Sequence, residues 1–373
     1  MTGHRSERKA AARGGRQVFV TFLLAALVCW HAGCGTGGIT VVSWGGSYAE
    51  ACKKAFFDPF SAETGIEVRV ESFNGGLAQI RAQVETGNVH WDVVDLEFAD
   101  VVKGCDEGLF EVIDIDEFPP APDGTSARDD YFEGTYSECG GGGTYYSGVY
   151  AYNRESFSGE RPSTLEDFFD LGKFPGRRGM RRTPVVNLEL ALMADGVPTE
   201  EVYAVLSTPE GVDRAFRKLD SIKSDVVWWE TGAQPPQMLA DREVIMSTAF
   251  NGRIFNAQVL EDQPFTIVWD GQVLDYGQLA IVAGTPRIEA AKQFLLFASR
   301  IESMAAVGRY IAYSPTRRSG MDLITTHAET GIDMRPHMPS APENLARALR
   351  NNPEWWTNHA EEMTERFSAW LAR

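Results

Sequence analysis

From residue 39 onward the apolar positions switch between a period of two and a period of three to four. Residues 39–44 (ITVVSW) are a short β-branched run that predicts a strand. Ser47 can cap the helix that follows, whose apolar residues include Phe56, Phe57 and Phe60, and Gly65 closes it. Ile66, Val68 and Val70 then alternate as a strand, and Leu77, Ile80 and Val84 fall on one face of a second helix that stops at Gly87. Residues 92–96 (DVVDL) form a third strand. This βαβαβ opening predicts a mostly parallel sheet with helices on both faces.

Residues 118–143 are rich in loop signals, ending in four consecutive glycines, Gly140 to Gly143. No Lys-Ser/Thr pair and no helix start follow the glycines, so a flexible turn is expected rather than a phosphate cradle. Residues 148–153 (GVYAYN) predict a strand that leaves a first lobe. A second α/β series follows, with helices at 188–193, 200–206 and 211–222 and strands at 225–228, 244–247 and 265–269. Residues 279–282 return to the first lobe as a strand. Helices are expected at 288–300, 341–350 and 358–371, the middle one with Ser340 at its cap and Pro342 in its first turn.

The first thirty-four residues look like an address. Arg5, Arg8, Lys9, Arg13 and Arg16 precede a thirteen-residue apolar stretch, 18–30, too short to cross a bilayer comfortably. His31-Ala32-Gly33-Cys34 follows, similar to the lipobox at which a bacterial lipoprotein is cleaved and its cysteine lipidated; simple cleavage is the alternative. Either route exports the chain. Beyond the leader remain Cys52, Cys105 and Cys139, too few for a disulfide framework. One bridge is expected, with Cys105–Cys139 preferred because both lie outside obvious helix interiors. His90, His327, His337 and His359 show no metal-ligand spacing, so neither metal nor cofactor is expected.

Composition narrows the function. The chain has 373 residues, is 43% hydrophobic, and beyond the leader has no apolar run near membrane-spanning length, which excludes a polytopic membrane protein. Its net charge is -17, and the leader holds five bases and one acid, so the remainder carries 30 bases and 51 acids, a net of -21. That sign opposes phosphate attraction and argues against a nucleic-acid partner. A cationic or neutral partner is easier to accommodate.

Open α/β sheets place ligands beyond the carboxyl ends of their strands. Trp44, followed by Gly45, Gly46, Ser47 and Tyr48, ends the first strand, where two glycines suit a loop that a ligand approaches closely. Asp95 and Glu97 end the third. Trp228-Trp229-Glu230 ends a later one, Phe250-Asn251-Gly252-Arg253 and Asp270-Gly271-Gln272 are further loop clusters, and Tyr313, Trp355 and Trp356 add aromatics. Aromatic faces with carboxylates suit an ammonium ligand: the ring quadrupole attracts the charge and an acid hydrogen-bonds it. Nucleophile-elbow, zincin and Walker signatures are absent from this part of the chain, so an enzyme is not expected. The Arg177, Arg178, Arg181 and Arg182 cluster reads as a solvated loop.

FFDPFSAETGIEV (56–68), LAQIRAQVETGNVHWDVVDLE (77–97), KFPGRRGMRR (173–182), LELALMADGV (188–197), VVWWETGAQPPQMLADREVIMSTAFNGRIFNAQ (226–258), SAPENL (340–345) and ERFSAWLA (365–372) resemble the periplasmic solute-binding proteins of bacterial ABC transporters, in particular the spermidine/putrescine-binding group. The resemblance implies a type II periplasmic binding protein: two α/β lobes with a ligand cleft between them, here 39–147 plus 279–312 and 148–278 plus 313–373. It further implies a monomeric, periplasmic or cell-surface receptor, lipid-anchored through Cys34, that binds a polyamine and delivers it to the transmembrane subunits of an ABC permease.

On the family's ligand positions fall Trp44, Tyr48, Glu97, Phe250 ahead of Asn251, Tyr313 and Trp356. The diamine-binding carboxylate of the family aligns near Gly277, with Asp275 as the substitute, and Asp95 joins Glu97. Rival ligands are an amino-acid derivative, or ferric iron held by the adjacent Tyr145 and Tyr146. A rival of another class is an exported glycoside hydrolase using Asp95 and Glu97.

Overall fold

The computed structural model describes residues 37–373, so the leader and Cys34 lie outside the described residues. A ten-stranded sheet runs through the described chain in the order β2-β1-β3-β8-β4-β7-β5-β6, with β10 paired to β8 and β9 to β4. Its strands are β1 (Ile39–Ser43), β2 (Val68–Ser72), β3 (Val93–Glu97), β4 (Gly140–Asn153), β5 (Arg178–Arg181), β6 (Val226–Trp229), β7 (Met246–Phe250), β8 (Phe265–Ile281), β9 (Ser314–Pro315) and β10 (Leu349–Arg350).

The sheet is parallel at its two ends and antiparallel in the middle. β1 pairs in parallel with β2 and β3, and β5 with β6 and β7, while β8 is antiparallel to β3 and β4, and β4 to β7. The two central strands are long enough to serve both ends. β8 pairs through residues 277–281 with β3 and, from Phe265 to Ala280, with β4, which itself pairs with β7 through 148–152.

Side-chain alternation puts Ile39 and Val41 against Phe56, Phe60 and Phe294, whereas Val42 packs with Val94 and Ile80 on the other face. A separate core gathers Phe168, Leu188, Leu192, Trp356 and Phe367. Cys105 and Cys139 form a disulfide, and Cys52 is buried outside it. No described helix is long and apolar enough to cross a membrane.

Four expectations need correction. The glycine run lies inside β4, not in a flexible turn; a Cβ on Gly143 would sit 2.2 Å from the Gly277 carbonyl oxygen, so the strands' approach demands glycine there. Residues 265–269 and 279–281 belong to a single strand that absorbs the 270–272 cluster, with Gly271 at φ 72°. Where a helix was expected over 341–350 there is one 3-10 turn, Pro342–Asn344, and then β10, because the chain must reach β8 to pair Leu349 with Val273. The helix after β1 starts at Gly46 without a side-chain cap and runs through a π-helical stretch, Lys53–Phe57, to Gly65 in the left-handed region.

Of the arginine cluster, Arg177 and Arg182 are exposed beside β5 as expected, but the other two are not in a solvated loop. Arg178 and Arg181 bound β5, and Arg178 is fully buried, its guanidinium donating to the carbonyls of Phe168, Gly176 and Phe174 at 2.6–2.8 Å. Backbone carbonyls meet the hydrogen-bonding demand that would otherwise forbid that burial.

A ligand cavity at the carboxyl ends of the strands

The carboxyl ends of five parallel strands, drawn from both ends of the sheet, open onto one cavity enclosing about 540 Å³, part of it open to solvent. β1 delivers Trp44, β3 delivers Asp95 and Glu97, β5 delivers Arg181, β6 is followed by Glu230 to Gly232, and β7 delivers Phe250. Thr144, Tyr146 and Gly277 of the two long strands form the floor.

Of the residues expected to meet a ligand, Trp44, Tyr48, Asp95, Glu97, Phe250 and Tyr313 line this cavity. Asn251, Asp275 and Trp356 do not. Asn251 accepts from the Ser147 amide at 2.9 Å and donates to the Ala312 carbonyl at 2.6 Å, which joins the β7 end to the segment before β9. Asp275 accepts from its neighbour's amide at 2.8 Å and from Asn351 Nδ2 at 2.7 Å. Burial, and then the charge of Glu97, push the Asp275 carboxyl up to about 8. Trp356 is 1% exposed within the core, and its indole donates to Glu189 at 2.7 Å. Gly277 can carry no carboxylate, since a Cβ there would stand 2.8 Å from the Leu96 carbonyl oxygen.

The walls are aromatic. Tyr48 and Tyr146 each pack on Tyr313, with ring centroids 5.5 and 5.8 Å apart, and Tyr146 meets Phe250 edge-on at 5.5 Å. Tyr145 points to the opposite face of β4 and stacks on Tyr276 at 5.8 Å, so the adjacent tyrosines cannot converge on one iron ion.

Charge enters through a pair. Arg181 Nη1 donates to Glu97 Oε1 at 2.7 Å, and the two side chains are 16% and 20% exposed. The guanidinium also lies over the rings of Trp44 and Phe250, 5.9 and 5.4 Å from their centroids. Burial disfavours the charge on Arg181, but Glu97 outweighs it and holds the pKa above the ordinary value. Deeper in, burial raises the Asp95 carboxyl from its ordinary 3.8 to about 7, opposed by hydrogen bonds from Tyr48, Trp44 and Ser43 and by the Arg253 charge. Arg253 itself donates to the carbonyl oxygens of Trp44 and Gly45 at 3.1 and 3.0 Å.

Two cations, Arg181 and Arg253, therefore share the cavity with the carboxyls of Asp95, Glu97 and Glu230, of which Asp95 is pushed up to about 7 by burial. Arg181 was missed because its strand is too basic to suggest a strand, so nothing drew attention to its end. Glu230 sits in a cluster that the strand-end rule singles out, and Arg253 in one read as a loop cluster.

The family model for bacterial extracellular solute-binding proteins matches residues 55–337. The chain belongs to that family. As a member it is the solute-binding component of an ABC transporter. It is 41% identical, over 90% of its own length and 91% of the relative's, to a gamma-aminobutyric acid-binding protein of Pseudomonas aeruginosa. Among solved structures, the PBP MotA from A. tumefaciens B6 in complex with glucopine is similar at a TM-score of 0.81 and 30% identity, covering 90% of this chain and 99% of that one. A GABA receptor follows at 0.75 and 28%, covering 90% and 98%.

Proposed function

We propose that this solute-binding protein takes up a zwitterionic amino-acid derivative of the γ-aminobutyric type, with its ammonium and carboxylate at separate ends, and hands it to its permease. The observation that carries this reading is the Arg181–Glu97 pair inside an aromatic cavity. A zwitterion that slips between the two gives each a new partner: carboxylate on the planar guanidinium, ammonium on Glu97 and the faces of Trp44 and Phe250. A diamine brings a second cation toward Arg181 and Arg253, with Asp95 only partly ionised to receive it. The gamma-aminobutyric acid-binding relative supports the same class.

In this reading Trp44, Tyr48, Glu97, Phe250 and Tyr313 contact the ligand directly. Residues 39–147 plus 279–312 and residues 148–278 plus 313–373 act as two lobes that close on it, with β4 and β8 bending between them. Export through the 1–34 leader and an anchor at Cys34 would keep the monomer beside the permease.

The test is thermal unfolding of ligand-stripped protein with 4-aminobutanoate, 5-aminopentanoate, glutamate, putrescine and spermidine. At a hundred times Kd, linkage gives about 2.7 kcal/mol, a rise of roughly 5–10 °C for a chain of this size. A rise with an ω-amino acid that Arg181→Gln cuts to about half or less at the same concentration is the expected result. A rise with putrescine and none with any zwitterion overturns the proposal.

A further inference from the structure

Behind the ligand cavity lies a second one, of about 730 Å³ including its open mouth, with polar walls from Ser47, Gln237, Asn256, Glu261 and Gln263. The Arg253 side chain lines both. It is 4% exposed, and its guanidinium is pinned to the Trp44 and Gly45 carbonyls at 3.1 and 3.0 Å.

Two glycines make room for it. A Cβ on Gly46 would stand 2.7 Å from Arg253 Nη1, and one on Gly232 would stand 2.5 Å from Nε. The guanidinium thus fills a slot between the loop after β1 and the loop after β6. Ala233, next to Gly232, already belongs to the second cavity.

The slot is not chemically satisfied. Arg253 Nε is buried without a hydrogen-bond partner, and so is Asn256 Oδ1, one turn along the same helix (Asn251–Leu260). A donor and an acceptor of this kind are ordinarily paired when buried.

We propose that Arg253 is the stop that sets how long a ligand this receptor accepts. It closes the amino-acid cavity against a latent polar extension walled by Ser47, Gln237, Asn256, Glu261 and Gln263. This inference rests on the zwitterion reading above for the class of ligand, and it adds that the class is limited to short members. Arg253 is here a specificity-determining wall, acting by the volume it fills.

The experiment is calorimetric titration of wild type and Arg253→Ala with the series 3-aminopropanoate to 8-aminooctanoate. Wild type should prefer the short members and lose at least tenfold at the long end. Arg253→Ala should move the preference to longer members, binding them at least tenfold more tightly than wild type does. Equal weakening across the series, or an unchanged ranking, overturns the stop. Arg253→Met keeps the bulk without the carbonyl bonds, so it should keep the wild-type ranking; a shifted ranking there also overturns it, and this arm remains if Arg253→Ala does not fold. If wild type binds no member of the series, the ligand class is wrong, and the crystal structure of Arg253→Ala then decides the wall alone. One continuous cavity from Trp44 to Gln263 supports it, and collapse of the two loops into the slot refutes it.

Discussion

Asp95 offers the most direct measurement of how dry the ligand cavity is. Its carboxyl is buried at the end of β3, and that burial lifts its pKa from 3.8 to about 7. Below pH 3.8 folded and unfolded chains both hold the proton and the group contributes no pH dependence. Between 3.8 and about 7 the unfolded chain has lost the proton while the folded chain keeps it, so stability falls as pH rises. Above that window the penalty is complete and constant. About three pH units at about 1.4 kcal/mol each make it about 4 kcal/mol.

Asp95→Asn removes the titration while preserving shape. Urea unfolding of the two proteins from pH 4 to pH 8.5, followed by tryptophan fluorescence, should show the variant gaining on wild type by about 4 kcal/mol up to pH 7 and no further. An ammonium ligand near Asp95 should draw the proton off, so that binding at pH 6.5 releases protons in wild type and not in the variant. Stability differences that stay level across the whole range would refute the argument, because they would mean that the site hydrates the carboxylate as water does.

Arg181→Gln and Glu97→Gln should each weaken zwitterion binding roughly 10- to 100-fold by titration calorimetry, with the double variant losing far less than the product, since each single change leaves a charge without its partner. Trp356→Phe should cost about 1–3 kcal/mol of stability through the lost Glu189 bond and leave Kd unchanged, as its indole lies in the core and not in the cavity. Removing the Cys105–Cys139 disulfide, 34 residues apart in sequence, should lower unfolding free energy by about 3–4 kcal/mol on the chain-entropy account, read as a lower urea midpoint on Cys105→Ser with Cys139→Ser. Gly46→Ala, at φ 58° and against Arg253, should destabilise the protein by about 1–2 kcal/mol and weaken ligand binding, checked by melting and calorimetry.

The strand-end rule explains why so much of the cavity was readable: Trp44, Asp95, Glu97 and Phe250 follow or end strands with ordinary period-two patterns, and the fold brings such ends together. What escaped had a tertiary cause. β5 holds two arginines and a glycine in four residues, a composition that local propensity rejects and that only buried backbone carbonyls make tolerable. The middle of β8 looked like a loop because Asp270, Gly271 and Gln272 are turn formers. Gln272 is instead buried, donating to the Pro339 carbonyl at 3.3 Å, a partner 67 residues away that no local pattern reveals. The polyamine expectation came from the resemblance to the spermidine/putrescine-binding group, with the acids and aromatics of the site read as suiting an ammonium ligand and its arginines not weighed.

The two long strands also bear on how the molecule assembles and comes apart. Gly140 must find Ala280 and Asn153 must find Phe265, pairings more than a hundred residues apart, before either end of the sheet can close its middle. Such distant pairings raise contact order and slow folding. They also deny either half a complete sheet of its own. Heat or denaturant should therefore find one cooperative unit where the ligand sees two jaws, and a calorimetric scan should show a single peak whose calorimetric and van't Hoff enthalpies agree.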